Sequence, residues 1–287
     1  FPNDKIEIQT VLVDGTNKYF GTNQGLWLRN DKGELELLQK NINVLSLAKL
    51  KSGFIIIGSK KGLYYLNAGK LKQYRPFGDA HIALNKTPVY DITVISANEV
   101  WYSTFGMGVY LHDPSTFSNF GARDGLETGG VVYDLIANNE KVYIATSNGL
   151  FTYKMGILLD HFTTSDGLPS NTILDLDMDS KGTLWLATAK GLSQYTGLGF
   201  KNYSRKDGLP SSLVTAVHVD NANDSRIWTG SKSSGLTRFD KKGFFTFAVQ
   251  DGLPSNQIQD ITQLDNGALV IACYKAGVAT YNGKRFQ

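Results

Sequence analysis

One short phrase recurs seven times along these 287 residues, and it constrains the fold more than any other feature. A strand-like stretch ends in a small or hydroxyl residue; a polar turn follows, then glycine and an apolar residue. The first copies run from Phe20-Gly21-Thr22 to Gly25-Leu26, from Ile57-Gly58-Ser59 to Gly62-Leu63, and from Tyr102-Ser103-Thr104 to Gly108-Val109. Next come Ile144-Ala145-Thr146 to Gly149-Leu150 and Leu186-Ala187-Thr188 to Gly191-Leu192. Thr229-Gly230-Ser231 to Gly235-Leu236 and Ile271-Ala272-Cys273 to Gly277-Val278 complete the set. The marking glycines stand about 37 to 46 residues apart. Strand-like copies at a period in the low forties predict an all-β fold, a seven-bladed β-propeller with four antiparallel strands per blade. The expected blades are 1–40, 41–88, 89–130, 131–172, 173–213, 214–257 and 258–287, in one domain, because no blade buries both faces alone.

Composition narrows the function classes. Apolar content of 41% with 30 glycines suits short strands joined by tight turns. No run of 18 apolar residues is present, so no membrane-spanning helix is expected and no direct membrane insertion. A net charge of +3 does not suggest a nucleic-acid partner. The single cysteine, Cys273, lies inside a repeated strand and reads as a small buried thiol. The chain opens at Phe1 without methionine or a signal sequence, which suggests a removed targeting segment or a domain cut from a longer protein.

The fifth copy is the plainest. Ile173 to Met178 alternates as an inner strand, Asp179 to Gly182 turns, and Thr183 to Thr188 returns with Trp185 at its middle. Lys190-Gly191 reverses the chain into Leu192 to Tyr195, and Phe200 to Tyr203 begins the outer strand. A second phrase recurs between blades: Asp124-Gly125-Leu126, Asp166-Gly167-Leu168-Pro169, Asp207-Gly208-Leu209-Pro210 and Asp251-Gly252-Leu253-Pro254. Proline cannot donate to a ladder, so this phrase is expected to carry one blade's outer edge to the next inner strand. The long connection from Arg75 to Val89 is a candidate functional loop. The last blade is expected to end with Lys284 to Gln287 as its outer strand.

Asp-Gly-Leu-Pro-Ser-Asn-x-Ile, a later Asp, and Gly-x-Leu-Trp-x-Ala-Thr-x-x-Gly-Leu together resemble the two-component regulator propeller repeat. Asp166 to Leu192 matches it nearly throughout, as does Asp251 to Val278 with Val270 in the Trp place. The resemblance is strong from about Trp101 onward and weak in the first two blades. It implies a periplasmic, or otherwise extracytoplasmic, sensor region of a hybrid two-component system of the kind common in gut Bacteroides-type bacteria. Such sensors detect oligosaccharides, and two propellers usually precede a β-sandwich and a membrane-spanning kinase. The implied partners are therefore an oligosaccharide and a neighbouring propeller or β-sandwich.

Two rings of residues are candidate sites. The turns between second and third strands share one face of a propeller, and there stand Lys60, Lys61, Lys190, Lys232 and Lys275, with Asn23, Gln24 and Asn148 in other copies. Converging lysines favour an anionic ligand such as a sulfated or uronic-acid oligosaccharide; Phe105 and Tyr274 lie beside them and could stack on sugar rings. The competing reading, that turn lysines serve solubility and the Asp-Gly-Leu aspartates neutralise the face, is preferred. Asp91, Asp134, Asp175 and Asp260 recur at the inner-strand entrance, with Ala216 in the intervening place. They could hold a hard cation, but are better read as acceptors that lock each blade to the next. Trp101, Trp185 and Trp228 recur as core. His81, His112, His161 and His218 show no metal spacing. No catalytic constellation and no cofactor is expected. The leading function is non-catalytic recognition; the alternatives are a streptogramin-lyase-like metal enzyme, for which only His218 lies on an inner strand, and a pure protein-docking scaffold.

Overall fold

The computed structural model describes residues 6–67, 69–74, 84, 86–96, 99–112, 117–122, 126, 131–138, 141–154 and 156–287. It is a seven-bladed β-propeller. Six blades are four-stranded sheets whose strands follow in chain order, and the seventh sheet has three strands. The fifth blade comprises Ile173–Met178, Leu184–Thr188, Gly191–Tyr195 and Phe200–Tyr203, all antiparallel. The last blade departs from expectation at its outer edge. Lys284 and Arg285 form a turn on the Asn282 carboxamide, and Phe286 and Gln287 pair back through a Tyr281–Phe286 bridge and two 2.9 Å bonds between Thr280 and Gln287. Most of the Arg75–Val89 connection, with Pro76, Gly78 and His81, lies outside the described residues, as do Asp124 and Gly125.

By contacts the chain forms two compact units. One holds 1–8, 145–150 and 161–287; the other holds 9–144 and 151–160. In both, the second strand of a blade is the most enclosed. All five residues of Leu184–Thr188 are buried, as are those of Ile55–Ser59 and Ile227–Ser231. Such strands sit mid-sheet with both faces covered, which explains their apolar and small composition without alternation. Close approach decides the small residue near the end of each. A Cβ on Gly230 would lie 2.6 Å from Ile258 Cγ2 of the next blade, and one on Gly21 would lie 2.5 Å from Val44 Cγ1.

The hydroxyl that follows has its own task. Thr22, Ser59, Thr104, Thr146 and Thr188 each donate from the side chain to the carbonyl of the turn glycine, at 2.7–2.8 Å. Ser231 does so at 3.3 Å. In the seventh copy Cys273 replaces the hydroxyl, and the turn is made instead with Lys275 in the left-handed region, φ 55°.

The tryptophans are packing anchors between blades. Trp101 stacks on Phe120 of its own outer strand and meets Tyr153 of the next blade, at 5.4 and 6.5 Å between ring centres. Trp185 repeats the arrangement with Tyr203 and Phe239, both at 6.0 Å, and Trp228 with Phe247 and Tyr281, at 6.1 and 5.7 Å. Each pairs one aromatic from its own sheet with one from its neighbour, so recurrence of Trp in the sequence marks recurrence of this sandwich.

The Asp-Gly-Leu-Pro phrase becomes one turn of 3-10 helix joining outer to inner strand. Asp166 accepts from the Thr163 amide and hydroxyl at 2.8 and 3.0 Å, and Asp207 from those of Ser204 at 2.8 and 2.9 Å. These bonds hold both exposed carboxyls below the usual carboxylate range. Gly167, with φ 104°, then reverses the chain and drops Leu168 into the core.

Candidate recognition site

The turns between second and third strands take their form from the hydroxyl clamp, and their backbones are tied to inner-strand entrances. The Lys60 amide donates to Asn43, Ala189 to Thr172, Gly235 to Asn256 and Tyr274 to Gln257, at 2.8–3.1 Å. In the unit spanning blades five to seven, Lys190, Lys232 and Lys275 therefore stand exposed at equivalent turns of successive blades. Lys275 Nζ lies 5.0 Å from the centre of the half-buried Tyr274 ring, a cation–π contact that engages both at once. Lys60 and Phe105 occupy the same turn position in the other unit. Lys60 is exposed, and Phe105 is 51% exposed with its ring 6.3 Å from Tyr90.

Asp91, Asp134, Asp175 and Asp177 of the inner strands are engaged between blades. A register shift sits at the entrance of the second, third, fifth, sixth and seventh inner strands, just before Ser46, Asp91, Asp175, Ala216 and Asp260 or beside them. Asp175 accepts the Val217 amide of the next blade at 2.6 Å, and Asp177 accepts that of Val219 at 2.8 Å. In the other unit, burial pushes the Asp91 carboxyl up to about 6, against hydrogen bonds from Ile92, Thr93, Leu135 and the Asp134 side chain. Thr93 Oγ1 lies 3.0 Å from Asp91 Oδ2 and 2.5 Å from the Leu135 carbonyl oxygen, so its one proton is placed between blade three and blade four. Asp260 Oδ1 accepts the Ile261 amide at 2.8 Å. Among the described residues, no three His, Cys, Asp or Glu side chains gather as a metal-holding group.

His218 acquires partners that the sequence reading lacked. Its Nδ1 lies 3.2 Å from Asp177 Oδ2 of blade five, and its Nε2 lies 3.5 Å from Gln263 Oε1 of blade seven. Burial pulls its pKa down, but the Asp177 contact, with help from Gln263 and Asp260, outweighs this and leaves it above the usual histidine value. The signal was present: Asp177 and His218 are one repeat period apart and so neighbour each other on adjacent inner strands. The other two described histidines make separate contacts, His112 with the Tyr74 hydroxyl at 3.3 Å and His161 with the Asn148 carbonyl at 2.7 Å. Burial pushes the Cys273 thiol up to about 11, which matches its enclosed place in the strand and leaves it a poor nucleophile.

Comparison with known proteins adds to this geometry. The extracellular domain of a B. thetaiotaomicron protein assigned as a hybrid two component system superposes with TM-score 0.83 at 22% identity. The match covers 99% of this chain and 39% of that one, so the chain spans well under half of that relative's length. Virginiamycin B lyase from Staphylococcus aureus superposes with TM-score 0.75 at 10% identity, over 96% of this chain and 94% of that one. PorZ, a surface component of the type-IX secretion system of Porphyromonas gingivalis, gives TM-score 0.74 at 14% identity, over 96% of this chain and 46% of that one. At these identities the likeness concerns the fold. A search of curated protein sequences returns no match. A sequence model described as the two component regulator propeller matches residues 167–190, which run from the Asp-Gly-Leu-Pro turn through the Trp185 strand to Lys190. That match lies inside one of the seven copies of the same strand-and-turn unit, so residues 167–190 are similar to a two-component regulator propeller repeat.

Proposed function

We propose that this propeller is a non-catalytic recognition domain of an extracytoplasmic two-component sensor, binding an oligosaccharide or docking a neighbouring propeller or β-sandwich. One observation supports the non-catalytic part above others: the inner-strand groups suited to acid–base or metal chemistry are occupied in holding blades together. Asp91, Asp175 and Asp177 accept from the next blade, and His218 lies between Asp177 and Gln263. The family match and the shared fold with a sensor's extracellular domain support the sensor part. Among the described residues no helix is long and apolar enough to cross a membrane. The exposed turns carrying Lys190, Lys232, Lys275 and Tyr274 form the proposed ligand face, with Lys60 and Phe105 at the same turn position in the other unit.

A thermal-shift panel of neutral and acidic oligosaccharides, with and without Ca²⁺, tests the reading. A ligand that binds only the folded state raises Tm by mass action. An acidic oligosaccharide is expected to raise Tm, and Lys190→Ala with Lys232→Ala to abolish the rise. No shift with any sugar would sink the saccharide reading and leave partner docking.

A further inference from the structure

At the end of blade six opposite Lys232 is a cavity of about 430 Å³ lined by Asn223, Ser225, Arg226, Arg238, Lys241 and Lys242, with Asp240 as its one carboxylate. The local sequence builds it from two turns. Residues 220–226 are folded by main-chain bonds from Asp220 N–H to Arg226 and from Arg226 N–H to Asn223, at 2.9 and 2.8 Å. The Asp240 carboxylate accepts the Lys242 amide at 2.8 Å and shapes the second turn. Trp228 pairs with Arg238 across the two central strands. Side chains alternate along a strand, so Arg226, two residues before Trp228, shares a sheet face with Arg238.

Both arginines are held in place, yet neither has its hydrogen-bonding capacity filled. Arg226 Nη1 lies 3.2 Å from Asp220 Oδ2, and that carboxylate also takes the Trp228 indole N–H at 3.3 Å. Arg238 lies with its guanidinium 4.5 Å over the Phe245 ring and its Nε 3.1 Å from Asp240. Each guanidinium meets its carboxylate through one nitrogen, Nη1 of Arg226 and Nε of Arg238, fewer than the donors it carries. A guanidinium offers five donors in a planar fork, and such a fork matches the oxygens of a carboxylate, sulfate or phosphate. Two exposed lysines add point charge, and Asn223 and Ser225 add neutral groups suited to hydroxyls. The volume suits a single sugar-sized ligand.

We propose that this pocket binds a small polyhydroxylated acid, with its oxyanion on Arg226 and Arg238 and its hydroxyls on Asn223 and Ser225. The site is independent of the turn-lysine face, and failure of either leaves the other standing. Isothermal titration of the whole chain at low salt, with glucuronate, glucose 6-sulfate, glucose 6-phosphate and glucose, tests it. At least one acid is expected to bind about tenfold more tightly than glucose, and the acid preferred identifies the oxyanion. Arg238→Gln is expected to weaken that acid about tenfold. Lys241→Ser with Lys242→Ser, both at exposed positions that leave the core alone, is expected to weaken it about threefold and flatten its salt dependence. Equal affinity for all four probes, or no binding at about 10 mM, overturns the proposal, the latter being too weak for a built site. Should Arg238→Gln not fold, the double lysine variant decides: unchanged affinity and unchanged salt dependence overturn the proposal.

Discussion

Thr188 shows how much work one side chain does in each blade. Its hydroxyl donates to the Gly191 carbonyl at 2.7 Å and accepts the Lys190 amide at 3.2 Å, closing a turn whose polar groups are partly out of water. Thr188→Ala leaves both without a partner, and a loss of about 1–3 kcal/mol is expected in urea unfolding. An unchanged midpoint would show that water replaces the hydroxyl there. Lys275 is the complementary case. With φ 55° it occupies a backbone region that costs a side-chain-bearing residue on the order of 1 kcal/mol, so Lys275→Gly is expected to be neutral or slightly stabilising by the same measurement. It would at the same time remove the cation from the Tyr274 ring. A clear loss of stability on that exchange would show that the contact outweighs the strain.

At the scale of the blade, the aromatic sandwich is the unit of cohesion. Trp185 is 5% exposed and spans Tyr203 and Phe239, which themselves lie 4.7 Å apart. Trp185→Ala would leave a large void between two sheets, and a cost of about 3–5 kcal/mol is expected. Trp185→Phe should recover most of it, because ring contact rather than the indole N–H carries the packing; equal damage from both would locate the effect elsewhere. The sequence showed the period and placed Trp185 on a second strand. The partners of Trp185 were less legible: Tyr203 lies about 18 residues along the chain and Phe239 about 54, and only the pairing of sheets brings them together.

Over the whole molecule, charge and burial combine into a pH profile. The raised pKa values of Asp91 and His218 mean that the folded state holds those protons more tightly than the unfolded chain. Their contribution is fully present below the unfolded values and is lost as pH rises through about 6 for Asp91 and through the raised His218 value. Asp166 and Asp207 have lowered values, so their contribution is present above the unfolded value and is lost only in stronger acid. Tm is therefore expected to fall as pH is raised from about 5 to about 8, opposite to the trend set by the capping aspartates in strong acid. Asp91→Asn should flatten the lower part of that fall and His218→Gln the upper part. A Tm constant or rising over this range would contradict both assignments.

The repeat period, the hydroxyl-to-glycine turn and the recurrent tryptophan were determined by sequence alone, because each is a local or periodic pattern that survives without coordinates. The inner-strand aspartates were likewise legible as repeated polar groups in need of partners. Three things required the tertiary structure. The Asp177–His218–Gln263 contact joins three blades, the last blade's outer edge shortens to Phe286 and Gln287, and the Arg226–Arg238 pocket gathers residues from two turns. All depend on which residues of separate strands face one another. Strand register and blade stacking decide that, and a pattern read along a single chain carries the period of the repeat but not the partner across the gap.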